Sequence, residues 1–313
     1  MPPRASWLAS RLAPVSILDR IGNTPLVRLG RITRDLVPAG VEVWAKLEWF
    51  NPGGSVKDRA AYGIVHDAER TGKIGRDTIL LDSSSGNTGI AYGLICAIRG
   101  YSLTLCLPKN ANRERKRILR AYGVHIVETD PLEGSDGAIR MAKKLVADNP
   151  GKYLYLDQYG NEANPRAHEK GTAEEIWAQT GGRVTHWVAT LGTSGSFVGT
   201  TRGLRARNPA IQCISVQPDS PFHGLEGLKH MESAIVPAIY DPRLADRDLG
   251  APTEPCLELR KRLAREEGLL AGVSAGAALW GAIEVARGLQ SGVVVTLFPD
   301  GGERYISEDH LWD

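Results

Sequence analysis

Short, strongly apolar runs alternate along this chain with longer segments whose apolar residues recur every three or four positions. The short runs are Val41 to Leu47, Thr78 to Leu81, Ser102 to Leu107, Val124 to Glu128, Tyr153 to Asp157, Thr185 to Leu191, Ile211 to Val216 and Val293 to Phe298. Runs of this length and composition predict strands covered on both faces. Two more short strands are expected, one after the turn Gly22-Asn23-Thr24-Pro25 and one at Leu269-Leu270-Ala271. Helix patterns fill the gaps. One opens at Ser55 and runs to about Thr71, with Val56, Ala60 and Ile64 on its inward stripe and Gly72 as its stop. Others pass through Cys96 to Gly100, from Arg113 to Tyr122, Ser135 to Val146, Ala167 to Gln179 and Cys256 to Glu267, and from Gly276 to about Leu289. Strands alternating with helices predict an α/β protein with open, mostly parallel sheets and helices on both faces. The stretch Pro218 to Pro255 breaks the rhythm. It holds six prolines, and a long surface excursion is expected there.

At 313 residues the chain is long enough for two lobes. Its 38 basic and 36 acidic side chains nearly cancel, so bulk charge implies neither nucleic acid nor an anionic membrane as partner. The densest basic run, Arg113 to Arg117 with Arg120, falls on an expected helix and is taken as a solvated face. No apolar segment approaches the ~20 residues needed to span a bilayer. Met1 to Ala13 carries two arginines but no long apolar stretch, and an untargeted, mobile N-terminus is expected. Cys96, Cys106, Cys213 and Cys256 are far apart and make no CxxC pair. That argues against a structural zinc or a disulfide framework, and suits a reducing, cytoplasmic setting.

The candidate chemistry lies at the ends of the strands. Asn51-Pro52-Gly53-Gly54-Ser55-Val56-Lys57-Asp58-Arg59 is a tight turn into a helix, with Ser55 expected as its N-cap. Lys57 falls in the first turn, where backbone N–H groups disfavour a cation. A lysine so placed is a candidate amine nucleophile through a lowered pKa, although a surface lysine is the plainer reading of this motif alone. Ser84 to Gly89 offers hydroxyls, an amide and helix-start N–H groups, a site for a carboxylate or phosphate. Gly192 to Ser196 offers a concave row of N–H groups suited to a compact phosphate. Singly, each loop is equally well read as a capped helix start. No GxxxxGK[ST] or GxGxxG occurs, so neither a Walker loop nor a nicotinamide fold is indicated. Two anion cradles with an activated lysine together suggest pyridoxal phosphate and an amino acid.

These segments also carry a resemblance. Asn51 to Arg59, Ser84 to Gly89, Gln158 to Asn164, Gly192 to Ser196, Gly272 to Ala277 and Gly301 to Tyr305 stand in the order found in the cysteine synthase/cystathionine β-synthase family. The resemblance covers about Ile17 to the C-terminus. It implies the two-lobed pyridoxal-phosphate fold type II, tryptophan synthase β-like, with an internal aldimine on Lys57. Asn87 would bond the cofactor's ring oxygen. Gly192, Thr193, Ser194, Gly195 and Ser196 would hold its phosphate, and Ser274 would meet the pyridine nitrogen. Ser84, Ser85, Thr88 and Gln158 would bind the substrate carboxylate. The implied activity is β-replacement through an aminoacrylate, making L-cysteine from O-acetylserine or O-phosphoserine and a sulfur donor. A smaller, mobile carboxylate-binding lobe is expected at 51–161, with 1–50 and 162–313 forming the phosphate-binding lobe. The family implies a homodimer, and sulfide, thiosulfate, homocysteine or a thiocarboxylate on a sulfur-carrier protein as the sulfur source.

The chain departs from the family pattern in places. Ser84 stands where threonine is common, and Glu162 where proline is usual. The glycine-rich stretch near Pro218 of the A-type enzymes is missing, so the segment looks like the B-type. In B-type enzymes that use O-phosphoserine an arginine near Lys229 recognises the leaving phosphate. Lys229 would do so as a point charge, or would simply face solvent. His223 and His230 are taken as loop polar groups. Cystathionine β-synthase is the nearest alternative; no Cys/His pair before the core suggests haem, and no regulatory tail follows Trp312-Asp313. A remoter one is a serine hydrolase, since Gly272-Val273-Ser274-Ala275-Gly276 is a literal GxSxG with Asp300 and His310 following in chain order.

Overall fold

The centre of the molecule is the valine-rich run before Pro299. In the computed structural model, which describes residues 16–84 and 86–308, it is a strand of a six-stranded sheet. The strands in chain order are β1 (Leu26–Arg28), β2 (Val41–Leu47), β3 (Ile79–Ser83), β4 (Ser102–Pro108), β5 (His125–Thr129), β6 (Tyr153–Tyr155), β7 (His186–Thr190), β8 (Gln212–Pro218), β9 (Arg247–Ala251) and β10 (Gly292–Phe298). The helices are α1 (Lys57–Arg70), α2 (Asn87–Arg99), α3 (Arg113–Ala121), α4 (Gly134–Asp148), α5 (Ala163–Ala167), α6 (Ala173–Gln179), α7 (Gly195–Arg207), α8 (Thr253–Arg262) and α9 (Val273–Arg287). The larger sheet runs β1-β2-β10-β7-β8-β9, parallel throughout except for the β1–β2 pair. A second sheet, β5-β4-β3-β6, is wholly parallel.

Side-chain alternation sends the two halves of β10 into different cores. Val294 and Phe298 pack with Val43, Ala45 and α9 on one face. Val293, Val295 and Leu297 pack with Trp187, Phe197 and Ile176 on the other. Each buried Val or Leu contributes roughly 1.5–3 kcal/mol, which explains why this strand shows no polar face. The smaller sheet repeats the scheme, with Leu80 and Leu105 facing α1 and α2, and Leu81 and Cys106 facing α4.

Three expectations need correction. The excursion after Pro218 contains a strand: β9 adds to the sheet edge beside β8, and its pattern is masked because only Ala251 is buried. Leu269 to Ala271 is not a strand; Ala271 makes one isolated bridge to Gly301. The helix expected over Ala167 to Gln179 begins at Ala163 and is interrupted by a π turn, His168–Thr172. There the His168 ring bonds the Thr172 hydroxyl at 2.9 Å, both buried. Gly199 and Gly203 of α7 let this segment approach closely; a Cβ on Gly199 would lie 1.9 Å from the Pro165 carbonyl oxygen.

All four cysteines are buried and free. Among the described residues no cluster suits a metal, and no helix is long and apolar enough to cross a membrane. The first thirteen residues, assigned above to a mobile terminus, lie outside the described residues.

Candidate active site

Both sheets turn the carboxyl ends of their strands toward one cleft, the usual ligand position in open parallel sheets. Lys57 is the first residue of α1 and is half-buried there. Ser55 is not the residue that caps this helix, as the sequence suggested. Val56 stands at the cap without a side-chain bond, while the Ser55 hydroxyl accepts the Lys57 N–H at 3.2 Å. Asp58 turns back instead and accepts the Gly53 N–H at 2.5 Å. The turn is anchored to the end of β10, because the Val56 N–H donates to the Pro299 carbonyl at 2.8 Å. Desolvation in the cleft pushes the Lys57 amine below its ordinary pKa, outweighing the pull of Asp300 toward the charged form.

Gly192 to Ser196 joins β7 to α7 and opens on the same cavity as Lys57. Ser194 takes a left-handed backbone, φ 68°, the kind of turn from which anion-binding concavities of N–H groups are built. Two glycines are enforced by neighbours: a Cβ on Gly195 would lie 2.0 Å from Asn164 Oδ1, and one on Gly192 2.6 Å from the Gly227 carbonyl oxygen. Ser274, in the first turn of α9, lines the same space. So does Asn87, the first residue of α2. Its Nδ2 donates to Asp300 Oδ2 at 2.6 Å, and its Oδ1 accepts from Arg304. Asp300 Oδ2 also accepts from the Tyr305 hydroxyl at 2.8 Å, while Oδ1 is buried without a partner.

The Ser84 loop lies across the cleft. Ser84 Oγ accepts N–H groups of Gly86 and Gly89, at 3.3 and 3.0 Å. Thr88 donates to Gln158 Oε1 at 2.7 Å, and Gln158 Nε2 donates to the Ser83 carbonyl at 2.6 Å. Asn164 Nδ2 links the two cradles, donating to the Gln158 carbonyl at 2.8 Å and to Thr193 Oγ1 at 3.3 Å. Ser85 lies outside the described residues. Lys57, Ser84, Asn87, Thr88, Gln158, Gly192, Thr193 and Lys229 all line a cavity of about 160 Å³. Lys229 does not face solvent. It is 8% exposed, paired with Asp136 at 3.0 Å and set 5.3 Å from the Tyr159 ring centroid. Among the described residues the His223 and His230 rings make only loop bonds, to the Leu225 N–H and the Ser233 hydroxyl.

Sequence reasoning missed Arg115, Glu226, Tyr159 and Tyr305, all of which line this cavity. The basic run on α3 is not a wholly solvated face, since Arg115 and Lys116 are buried. A signal was available for Arg115: it lies four positions before Leu119, the helix's buried apolar residue, and so shares its inward face. Among the described residues no hydrolase triad is assembled. Asp300 is engaged by Asn87 and Tyr305, no histidine lines the cavity beside Ser274, and His310 lies outside the described residues.

Fold and cleft define a two-sheet enzyme that sets a lysine with a lowered pKa between two anion cradles. Residues 17–300 match the family described as pyridoxal-phosphate dependent enzyme. Cysteine synthase from Aquifex aeolicus is 49% identical over 301 residues, covering 95% of this chain and 92% of that protein. Cysteine synthase B from Pseudomonas aeruginosa is 40% identical, covering 93% and 96%. The crystal structure of cysteine synthase from Entamoeba histolytica superimposes with a TM-score of 0.91 at 32% identity, covering 100% of this chain and 93% of that one. The chain belongs to the pyridoxal-phosphate dependent enzymes, in their cysteine synthase branch, and pyridoxal phosphate is its cofactor. The cleft suits that group. Among the described residues it combines a half-buried amine without a hydrogen-bonding partner, a Gly192–Ser196 loop whose glycines 192 and 195 leave no room for a Cβ, and an unpaired buried oxygen on Asp300.

Proposed function

We propose that this enzyme makes L-cysteine by β-replacement, exchanging the acetoxy or phosphate group of an activated serine for sulfur. One observation carries the reading: Lys57, the Ser84 loop and the Gly192 loop share a single cavity. Bound there, pyridoxal phosphate supplies an aldehyde for an amine and an electron sink that acidifies the amino acid's α-carbon. Gly192, Thr193, Ser194, Gly195 and Ser196 hold its phosphate through backbone N–H groups and hydroxyls. Asn87 holds its ring oxygen, with Asp300 and Arg304 fixing the amide's orientation. Ser274 meets the pyridine nitrogen as an uncharged partner, which keeps the sink weak and favours rapid loss of the β-substituent.

With pyridoxal phosphate bound, Lys57 would be the residue that holds its aldehyde, and the Lys57 amine would be the general base for the substrate's α-proton. A lowered pKa leaves more of that amine neutral at working pH. Ser84, Ser85, Thr88 and Gln158, with the N–H groups opening α2, bind the substrate carboxylate. Lys229 is the point charge for an anionic leaving group, keeping donors free beyond the one on Asp136. Residues 51–161 form the smaller lobe and 1–50 with 162–313 the larger. Contacts such as Asn112 Nδ2 to Glu308 Oε1, 3.0 Å, and Asp136 to the Ile235 N–H, 3.1 Å, bring the small lobe down on the cleft and exclude water. The enzyme works as a homodimer in the cytoplasm, with sulfide, or sulfur on a carrier protein, as donor.

The test mixes holoenzyme with O-acetylserine, O-phosphoserine and serine in turn, then adds sulfide. An absorbance change with an activated serine, followed by cysteine, is expected; serine with homocysteine should turn over poorly. No spectral response to either activated serine would overturn the proposal.

A further inference from the structure

The cavity holds one ion pair that neither the cofactor nor the amino acid accounts for. Arg115, on α3, donates through Nη1 to Glu226 Oε1, from the excursion after β8. The two side chains are unequally placed: Arg115 is 7% exposed and Glu226 47%. The guanidinium lies 5.2 Å from the Tyr305 ring centroid, and its buried Nε has no partner among the described residues. Its Nη1 also reaches the opening of α2, lying 3.6 Å from where a Cβ on Gly86 would stand. Among the described residues Glu226 has no other side-chain partner, so solvent can take it at little cost. Arg115 has no such refuge. Left alone it would be an uncompensated buried charge, a strongly unfavourable state. The pair therefore opens readily only when another anion replaces Glu226.

Resting on the β-replacement reading above, we infer that Arg115 is a receptor for a small oxyanion, and that Glu226 is the exchangeable plug that holds its place. A planar guanidinium offers two parallel N–H donors from its two terminal nitrogens, the geometry an oxyanion takes and a single-atom anion does not. Two sources carry that chemistry through this cleft: the departing acetate or phosphate, and an incoming sulfur donor that bears oxygen. Arg115 is a specificity residue in either case. No bond is made or broken at it.

Inorganic phosphate is the probe, used on holoenzyme so that the Gly192 cradle is already filled. Calorimetry should show phosphate binding about 10-fold tighter in Glu226→Gln than in the parent enzyme, and lost when Arg115→Gln is added. Stopped-flow separation of the two half-reactions then identifies the source. Slowing of Arg115→Lys by about 10-fold in the first half, with O-phosphoserine, assigns the leaving group. Slowing in the second half, with thiosulfate but not hydrosulfide, assigns the incoming donor. Unchanged phosphate affinity in Glu226→Gln overturns the inference, as does Arg115→Lys leaving both halves at full rate. The calorimetry needs no turnover, so a parent enzyme that binds phosphate this way yet ignores activated serines would sink the β-replacement reading and leave the receptor standing.

Discussion

Two lysines eleven positions apart, Lys46 and Lys57, lie in unlike regions of the same fold. Lys46 is fully buried at the end of β2, and its ammonium is enclosed by Glu175 at 2.7 Å, the Thr24 carbonyl at 2.8 Å and Gln179 Oε1 at 3.0 Å. Glu175 also holds Arg59, which in turn grips the buried Glu48. Lys57 has no such enclosure; its Nζ has no hydrogen-bonding partner among the described residues and opens on the cavity. Desolvation lowers both amines, opposed at Lys46 by Glu175 in contact and at Lys57 only by the field of Asp300. Burial alone therefore does not mark a reactive lysine. The mark is a desolvated amine whose neighbours leave its lone pair accessible.

The largest effect that would break this contrast is on turnover. Lys57→Ala should lower cysteine formation by about 10³-fold or more, with no borohydride-fixed cofactor at that position in mass spectra. Full activity would make the two lysines equivalent. At Lys46 the damage should fall on stability instead. Glu175→Ala strands Lys46 and part of Arg59, and unfolding by urea should show a loss of roughly 3–5 kcal/mol. If activity vanished while stability held, the structural assignment of this cluster would be wrong. A third change tests the cradle facing Lys57. Gly195→Ala drives a methyl into Asn164, which joins the two loops, and cofactor affinity should fall on the order of 10²-fold in an apoenzyme titration.

The sequence makes the Lys57 region legible because its chemistry is local. A turn, a helix start and a lysine lie within nine residues, and the glycine cradles follow the same strand–loop–helix grammar. The Lys46 region is not legible in that way. Its partners come from residues 24, 48, 59, 175 and 179, and nothing in the local pattern around Lys46 announces them. Glu226 and Tyr305 were hidden for the same reason, and the helix spacing of Arg115 gave its inward face but not its partners, since three separate elements meet there only in the fold. The π turn at His168–Thr172 and the edge strand β9 escaped because tertiary packing, not periodicity, decides them.

The smallest predicted effect carries the same contrast over to carboxylates. Asp82, fully buried at the end of β3, accepts N–H groups of Ser83 and Gln158 at 2.7 and 3.2 Å, with no cation in contact. Burial pushes its pKa up to about 7, whereas Glu175, held by Arg59 and Lys46, is drawn down to about 2 despite desolvation. The signs oppose. The fold prefers Asp82 protonated, so its contribution is complete below the unfolded value of ~4 and is lost as pH rises through about 7. The contribution of Glu175 is present above an unfolded value of ~4.3 and is lost as pH falls toward 2. Asp82→Asn never ionises; it keeps one of the two acceptor oxygens, Oδ1 for the Ser83 N–H and Oδ2 for the Gln158 N–H, so it carries a fixed loss that does not vary with pH. Relative to the parent, the variant should therefore gain roughly 2–3 kcal/mol between pH 5 and pH 8 in urea unfolding, most of it below pH 7. A difference that stays flat across that range would show that Asp82 is ionised in the fold at little cost, and that an unpaired buried carboxylate here behaves like a paired one.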